Sequence, residues 1–94
     1  MNLPQPIIDS VSDLARQCNL DKVILFGSRA RGDNRERSDI DLAIQGGNTV
    51  VFAASADEDI PTLLMFDIVD LDKPIQKELL EEIRKDGVVI YEKV

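Results

Sequence analysis

Gly27-Ser28-Arg29-Ala30-Arg31-Gly32, followed after six intervening residues by Asp39-Ile40-Asp41-Leu42, is the stretch on which the reading of this chain turns. Immediately before it, Val23-Ile24-Leu25-Phe26 is a compact apolar run of the length of a short buried strand, and Gly27 ends it. Immediately after it, Ile40, Leu42 and Ile44 alternate with Asp39, Asp41 and Ala43, which predicts a strand over Ser38–Gln45 closed by Gly46-Gly47. A Gly-Ser pair at a strand end offers backbone N–H groups and a hydroxyl to an anion when a helical turn follows, and glycine permits close approach. Aspartates at i and i+2 of a strand point to one face, so Asp39 and Asp41 can share a divalent cation. Magnesium suits such a pair, because it takes hard oxygen ligands, few of them from protein and the rest from water and phosphates.

Taken singly, a Gly-Ser is usually a turn, and alternating aspartates are usually the solvated side of a strand. Their succession, with Arg29, Arg31, Arg35 and Arg37 between them, favours the functional reading of the pair. Gly27 and Gly32 have the spacing of the first two P-loop glycines, but Asp33-Asn34 stands where Lys and Ser/Thr are required, so this is not a Walker A site.

Outward from this centre the rest of the chain completes an α/β pattern. Ile7, Ile8, Val11, Leu14, Ala15 and Cys18 recur at helical spacing and predict a helix over Gln5–Cys18, with Pro6 in its first turn. Asn48–Ile60 is read as a helix ending before Pro61, and Thr62–Leu71 as a third strand. Asp72–Asp86 is read as a helix with Pro74 in its first turn, Asp72 as its cap and Gly87 after it; Val88–Tyr91 is a terminal strand. One layered α/β domain over residues 1–94, with helices packed on a small mixed sheet, follows.

Composition narrows the chemistry. With 94 residues the chain is at most one small domain, so a separate substrate-recognition domain has to come from a partner. Eleven Lys and Arg against 18 Asp and Glu give a net charge of −7, which argues against direct DNA binding. The absence of histidine removes His-based acid–base catalysis and His-ligated zinc. A single cysteine, Cys18, allows no internal disulfide and fits a reducing cytoplasm. No stretch approaches the ~20 apolar residues of a membrane span.

At these residues the chain resembles the minimal nucleotidyltransferases of the DNA polymerase beta-like superfamily. Their pattern, Gly-Ser, ten residues, then Asp-x-Asp, is matched by Gly27-Ser28, Arg29–Ser38 and Asp39-Ile40-Asp41. The family's third carboxylate lies on a later strand, where Asp67 of Phe66-Asp67-Ile68-Val69-Asp70 stands. The resemblance implies that Asp39, Asp41 and Asp67 are catalytic and hold two Mg²⁺ ions. It also implies that Gly27 and Ser28 seat the β- and γ-phosphates of an NTP, ATP for preference, with Arg29 or Arg31 balancing the triphosphate charge. Asp67 then helps deprotonate a hydroxyl that attacks the α-phosphate, and pyrophosphate leaves. Stand-alone members of this size commonly pair with a helical HEPN-type protein as antitoxin to its toxin, so a hetero-oligomer and adenylylation of that partner are the expectation. The alternatives are a catalytically silent subunit that restrains its partner by contact, or transfer to a small molecule. Arg35 and Arg37 are expected in a solvated turn, Asp70 on the sheet face opposite Asp67, and Asp57-Glu58-Asp59 as a solvated acidic loop.

Overall fold

The computed structural model describes all 94 residues. Helix α1 (Gln5–Gln17) is followed by strand β1 (Lys22–Phe26), a single helical turn α2 (Ser28–Arg31) and strand β2 (Ile40–Gln45). Then come α3 (Thr49–Asp59), β3 (Phe66–Asp70), α4 (Lys77–Asp86) and β4 (Val88–Glu92). The four strands form one mixed sheet in the order β3-β2-β1-β4, as the α/β expectation requires. β1 is antiparallel to both β2 and β4, whereas β2 and β3 run parallel, with α3 as the crossover between them.

Helices cover both faces. Val11, Leu14 and Ala15 of α1 and Phe52 and Ala56 of α3 pack with Val23, Leu25, Ile40, Leu42 and Ile44 into the main core. Each strand's alternate residues turn the other way, and Phe26 and Ala43 meet Ile83 and Leu79 of α4 in a smaller core. Asp41 and Asp67 belong to the face on which α4 packs, because they alternate with the main-core residues of their strands. No helix is long and apolar enough to cross a membrane.

Three element starts differ from the sequence reading by two residues or more. β2 starts at Ile40, so Asp39 precedes the strand and the i, i+2 alternation does not by itself set its direction. β3 starts at Phe66, where the Asp57 carboxylate accepts the Phe66 N–H at 3.0 Å; Asp57 thus anchors the strand rather than lying idle in a solvated loop. α4 starts at Lys77, not near Asp72. The residue before Pro74 is held out of the helical region, and the Asp72 carboxylate accepts the Gly46 N–H at 2.9 Å instead of capping a helix. Asn48 caps α3 by accepting the Val51 N–H, which gives the least legible helix a firm start.

Candidate active site

The site is built at the end of β1, where the chain reverses into α2. Gly27 has φ 75° and ψ −156°, a conformation open to glycine and strained for other residues. A β-carbon there would collide with the Asp41 carboxylate, its Cγ lying only 3.1 Å away. Gly27 therefore does two things: it makes the turn, and it leaves room for Asp41. The turn closes with the Gly27 carbonyl accepting the Arg31 N–H at 3.1 Å and the Ser28 carbonyl accepting those of Gly32 and Asp33. Like any first turn, α2 leaves N–H groups without intrahelical partners, and these belong to the Gly27-Ser28 end.

β2 and β3 bring the carboxylates together. Asp41 and Asp67 are direct register partners across the parallel pair, so their side chains leave the same face from neighbouring strands. Asp39 lies in the loop before β2, near enough for its charge to act on Asp41. Burial, and then the negative charges of Asp67, Asp39 and Glu82, push the Asp41 carboxyl up to about 6, with Arg31 opposing. Asp70 is separate, as expected: hydrogen bonded by the Thr49 hydroxyl of α3, its carboxyl is held below the ordinary range.

The donor set suits a hard divalent cation, since each candidate ligand is a carboxylate and Asp41 is destabilised as an anion by burial and then by its like-charged neighbours. No three acidic side chains are gathered in a metal-holding arrangement in the protein alone.

The two arginines of the loop separate in role. Arg29, expected at a triphosphate, is buried instead. Its Nε donates to the Ser38 carbonyl at 3.1 Å, Nη2 to Glu36 at 3.1 Å and Nη1 to Asn2 at 3.3 Å. The expectation for Arg29 is corrected: its guanidinium ties the arginine-rich loop and the N-terminus into one body, because three inward-turned carbonyls need a planar fork of donors. Arg31 remains beside the carboxylates but is held by Asp33 at 3.1 Å, Asp86 at 3.2 Å and Glu82 at 3.6 Å. Arg35 and Arg37 are exposed.

Glu82 is the site residue that sequence reading missed. It sits on α4, far from the motif in sequence, yet its charge raises Asp41 and its carboxylate engages Arg31. The available signal was spacing: Glu82 and Asp86 lie four apart on α4, beside the core residue Ile83.

Residues 10–94 match the protein family described as Polymerase beta, Nucleotidyltransferase. No curated protein sequence matches the chain. Among solved structures, the fold is similar to that of a toxin–antitoxin structure with AMP-PNP, at 22% identity and TM-score 0.66, covering 92% of this chain and 73% of that one. It is also similar to a toxin–antitoxin MntA-HpeT variant, at 21% identity and TM-score 0.69, covering 98% and 75%. A third likeness, to a candidate minimal nucleotidyltransferase, has 25% identity and TM-score 0.64, covering 86% of each chain.

Proposed function

Because the chain belongs to the Polymerase beta nucleotidyltransferase family, we propose that it transfers a nucleoside monophosphate, AMP from ATP, to a hydroxyl of a HEPN-type partner protein and so acts as the antitoxin of a toxin–antitoxin pair. The observation that carries this reading is the register pairing of Asp41 with Asp67 directly beside the Gly27 turn. The toxin–antitoxin character of the similar structures, one of them with AMP-PNP, supports the partner and the nucleotide.

Asp39, Asp41 and Asp67 would hold two Mg²⁺ ions. Bound there, the ions would neutralise charge on the phosphoryl oxygens and on the attacking and leaving oxygens. Gly27 admits the triphosphate close to the backbone, and Ser28 with the first-turn N–H groups of α2 orients its terminal phosphates. Asp67, exposed at the edge strand, takes the proton of the acceptor hydroxyl as it attacks the α-phosphate in line, and the α–β phosphoanhydride bond breaks to release pyrophosphate. Arg31 turns from Glu82 and Asp86 toward the triphosphate, exchanging one set of anionic oxygens for another.

The test is transfer of label from α-phosphate-labelled ATP, with Mg²⁺, to the protein encoded by the adjacent reading frame, beside the Asp39→Asn/Asp41→Asn variant. The expected result is label on the partner with wild type and none with the variant. A variant that still restrains its partner at normal expression would replace catalysis with restraint by contact. Label on a small molecule instead would reassign the acceptor.

A further inference from the structure

The sheet has two edges, and they are shielded to different degrees. β4 pairs with β1 through a bulge at Val23–Ile24, which twists that edge out of regular pairing. β3 at the opposite edge runs regularly from Phe66 to Asp70. Two bonds fix which of its groups face β2: Ile40 donates to the Met65 carbonyl at 2.9 Å, and Leu71 donates to the Ile44 carbonyl at 2.8 Å. With the parallel register, odd-numbered residues of β3 therefore bond inward, and the peptide groups of Phe66, Ile68 and Asp70 point outward.

Two of these six outward groups are already satisfied. The Phe66 N–H donates to Asp57, and the Asp70 carbonyl accepts the Lys73 N–H at 3.1 Å. The other four are the Phe66 carbonyl, both groups of Ile68 and the Asp70 N–H. In an antiparallel pairing of β3 with a second β3 about a dyad at Ile68, Phe66 lies opposite Asp70. The Ile68 groups then bond each other twice, and each Asp70 N–H meets the other copy's Phe66 carbonyl. The two satisfied groups are one another's opposites in that same pairing. The free set is thus self-complementary, which is the requirement of an isologous interface.

Shape and charge follow the same dyad. Alongside the second half of β3 runs a cavity of about 540 Å³ whose apolar walls include Val50 and Ala53 of α3, Ile75 and Leu79. Ahead of the first half, Leu63 is fully exposed and Met65 is 58% exposed. The antiparallel pairing carries Met65 opposite the partner's Leu71 and Leu63 toward its Lys73–Ile75 segment, where the cavity opens. The carboxylate of Asp57 in α3, which sits at the start of β3, comes in that pairing toward the partner's Lys73, just past its end.

We propose that the β3 edge is a homodimerisation surface whose occupant is a second copy of this chain, paired antiparallel about Ile68 with Leu63 and Met65 seated in the other copy's groove. Each half of the pair fills what the other leaves open.

Sedimentation of the full chain over a wide concentration range tests this, together with amide hydrogen exchange at the two extremes. The expected result is a shift to twice the 10.5 kDa chain mass, with slower exchange at Ile68 and Asp70 at high concentration. Leu63→Asp/Met65→Asp, placed on exposed side chains so that the monomer keeps its fold, is expected to remain monomeric with fast exchange at both amides. A wild-type chain that stays monomeric throughout would overturn the proposal. So would a dimer in which those two amides exchange unchanged, or protection of β3 that arises only when a different protein is added.

Discussion

Gly27 and Asp41 occupy the same small volume: the side chain that glycine lacks would stand where the Asp41 carboxylate lies. A turn at the end of β1 and an acid on β2 are thereby one feature, because any side chain at position 27 displaces the Asp41 carboxylate. Gly27→Ala is expected to cost about 1–3 kcal/mol through its positive φ and the displaced carboxylate. In a chain of this size that lowers Tm by roughly 4–8 °C per kcal/mol, measurable by thermal unfolding. Nucleotidyl transfer is expected to be lost as well, since Asp41 is the group displaced.

The Asp41 carboxyl gives stability a definite pH dependence. Its value rises from an ordinary 3.8 to about 6 in the folded protein, so between these values the native state holds more protons than the unfolded chain. Stability is therefore highest below about 4 as far as this group is concerned, and declines as pH rises toward 6. The penalty at neutral pH is on the order of 1–2 kcal/mol after solvent screening. Asp41→Asn is expected to remove that decline and to be more stable than wild type at neutral pH while losing activity. Denaturant titrations across this pH range check it; parallel curves for the two proteins would refute it.

Divalent cations act on the same repulsion. Mg²⁺ with a non-hydrolysable ATP analogue is expected to raise Tm, by about 2.7 kcal/mol of added stability at a hundredfold excess over Kd, and a chelator is expected to reverse it. Asp41→Asn/Asp67→Asn is expected to show no such shift. Differential scanning fluorimetry with and without the cation measures both.

Arg29 is expected to behave as a structural residue. Arg29→Ala leaves three carbonyls of the loop and the N-terminus without their donors and costs about 2–4 kcal/mol. Arg29→Lys is expected to recover little of this, because a point charge on a flexible stem cannot reach three acceptors in the plane of a fork. The decisive comparison is Tm against KM for ATP measured well below the unfolding range. An unchanged Tm with a raised KM would return Arg29 to the nucleotide.

Sequence alone carried the order of the elements because each strand has its own apolar pattern and each reversal after β1 has its own glycine or proline, while Asn19, at φ 56°, makes the turn from α1 into β1. It carried the Asp41–Asp67 pairing less directly: the motif names Asp41, but only the parallel register of β2 with β3 makes Asp67 its neighbour. The start of α4 was misread because helical spacing from Ile75 onward ran through a segment that Pro74 and the Asp72–Gly46 bond hold extended. Arg29 was misread for another reason. A guanidinium beside a glycine turn looks the same in sequence whether it faces phosphate or three backbone carbonyls, and the carbonyls come from residues 2, 36 and 38. Glu82 was missed because helix packing across the sheet, rather than proximity along the chain, delivers it.

Asn2 exchanges bonds with Arg29 in both directions, its N–H donating to the Arg29 carbonyl at 2.8 Å and its carbonyl accepting from the guanidinium. The amino-terminal strand of residues is consequently a tether on the loop that carries Gly27 and Ser28. Losing the two Asn2 bonds would slacken that loop from a distance, without touching any residue that faces the carboxylates.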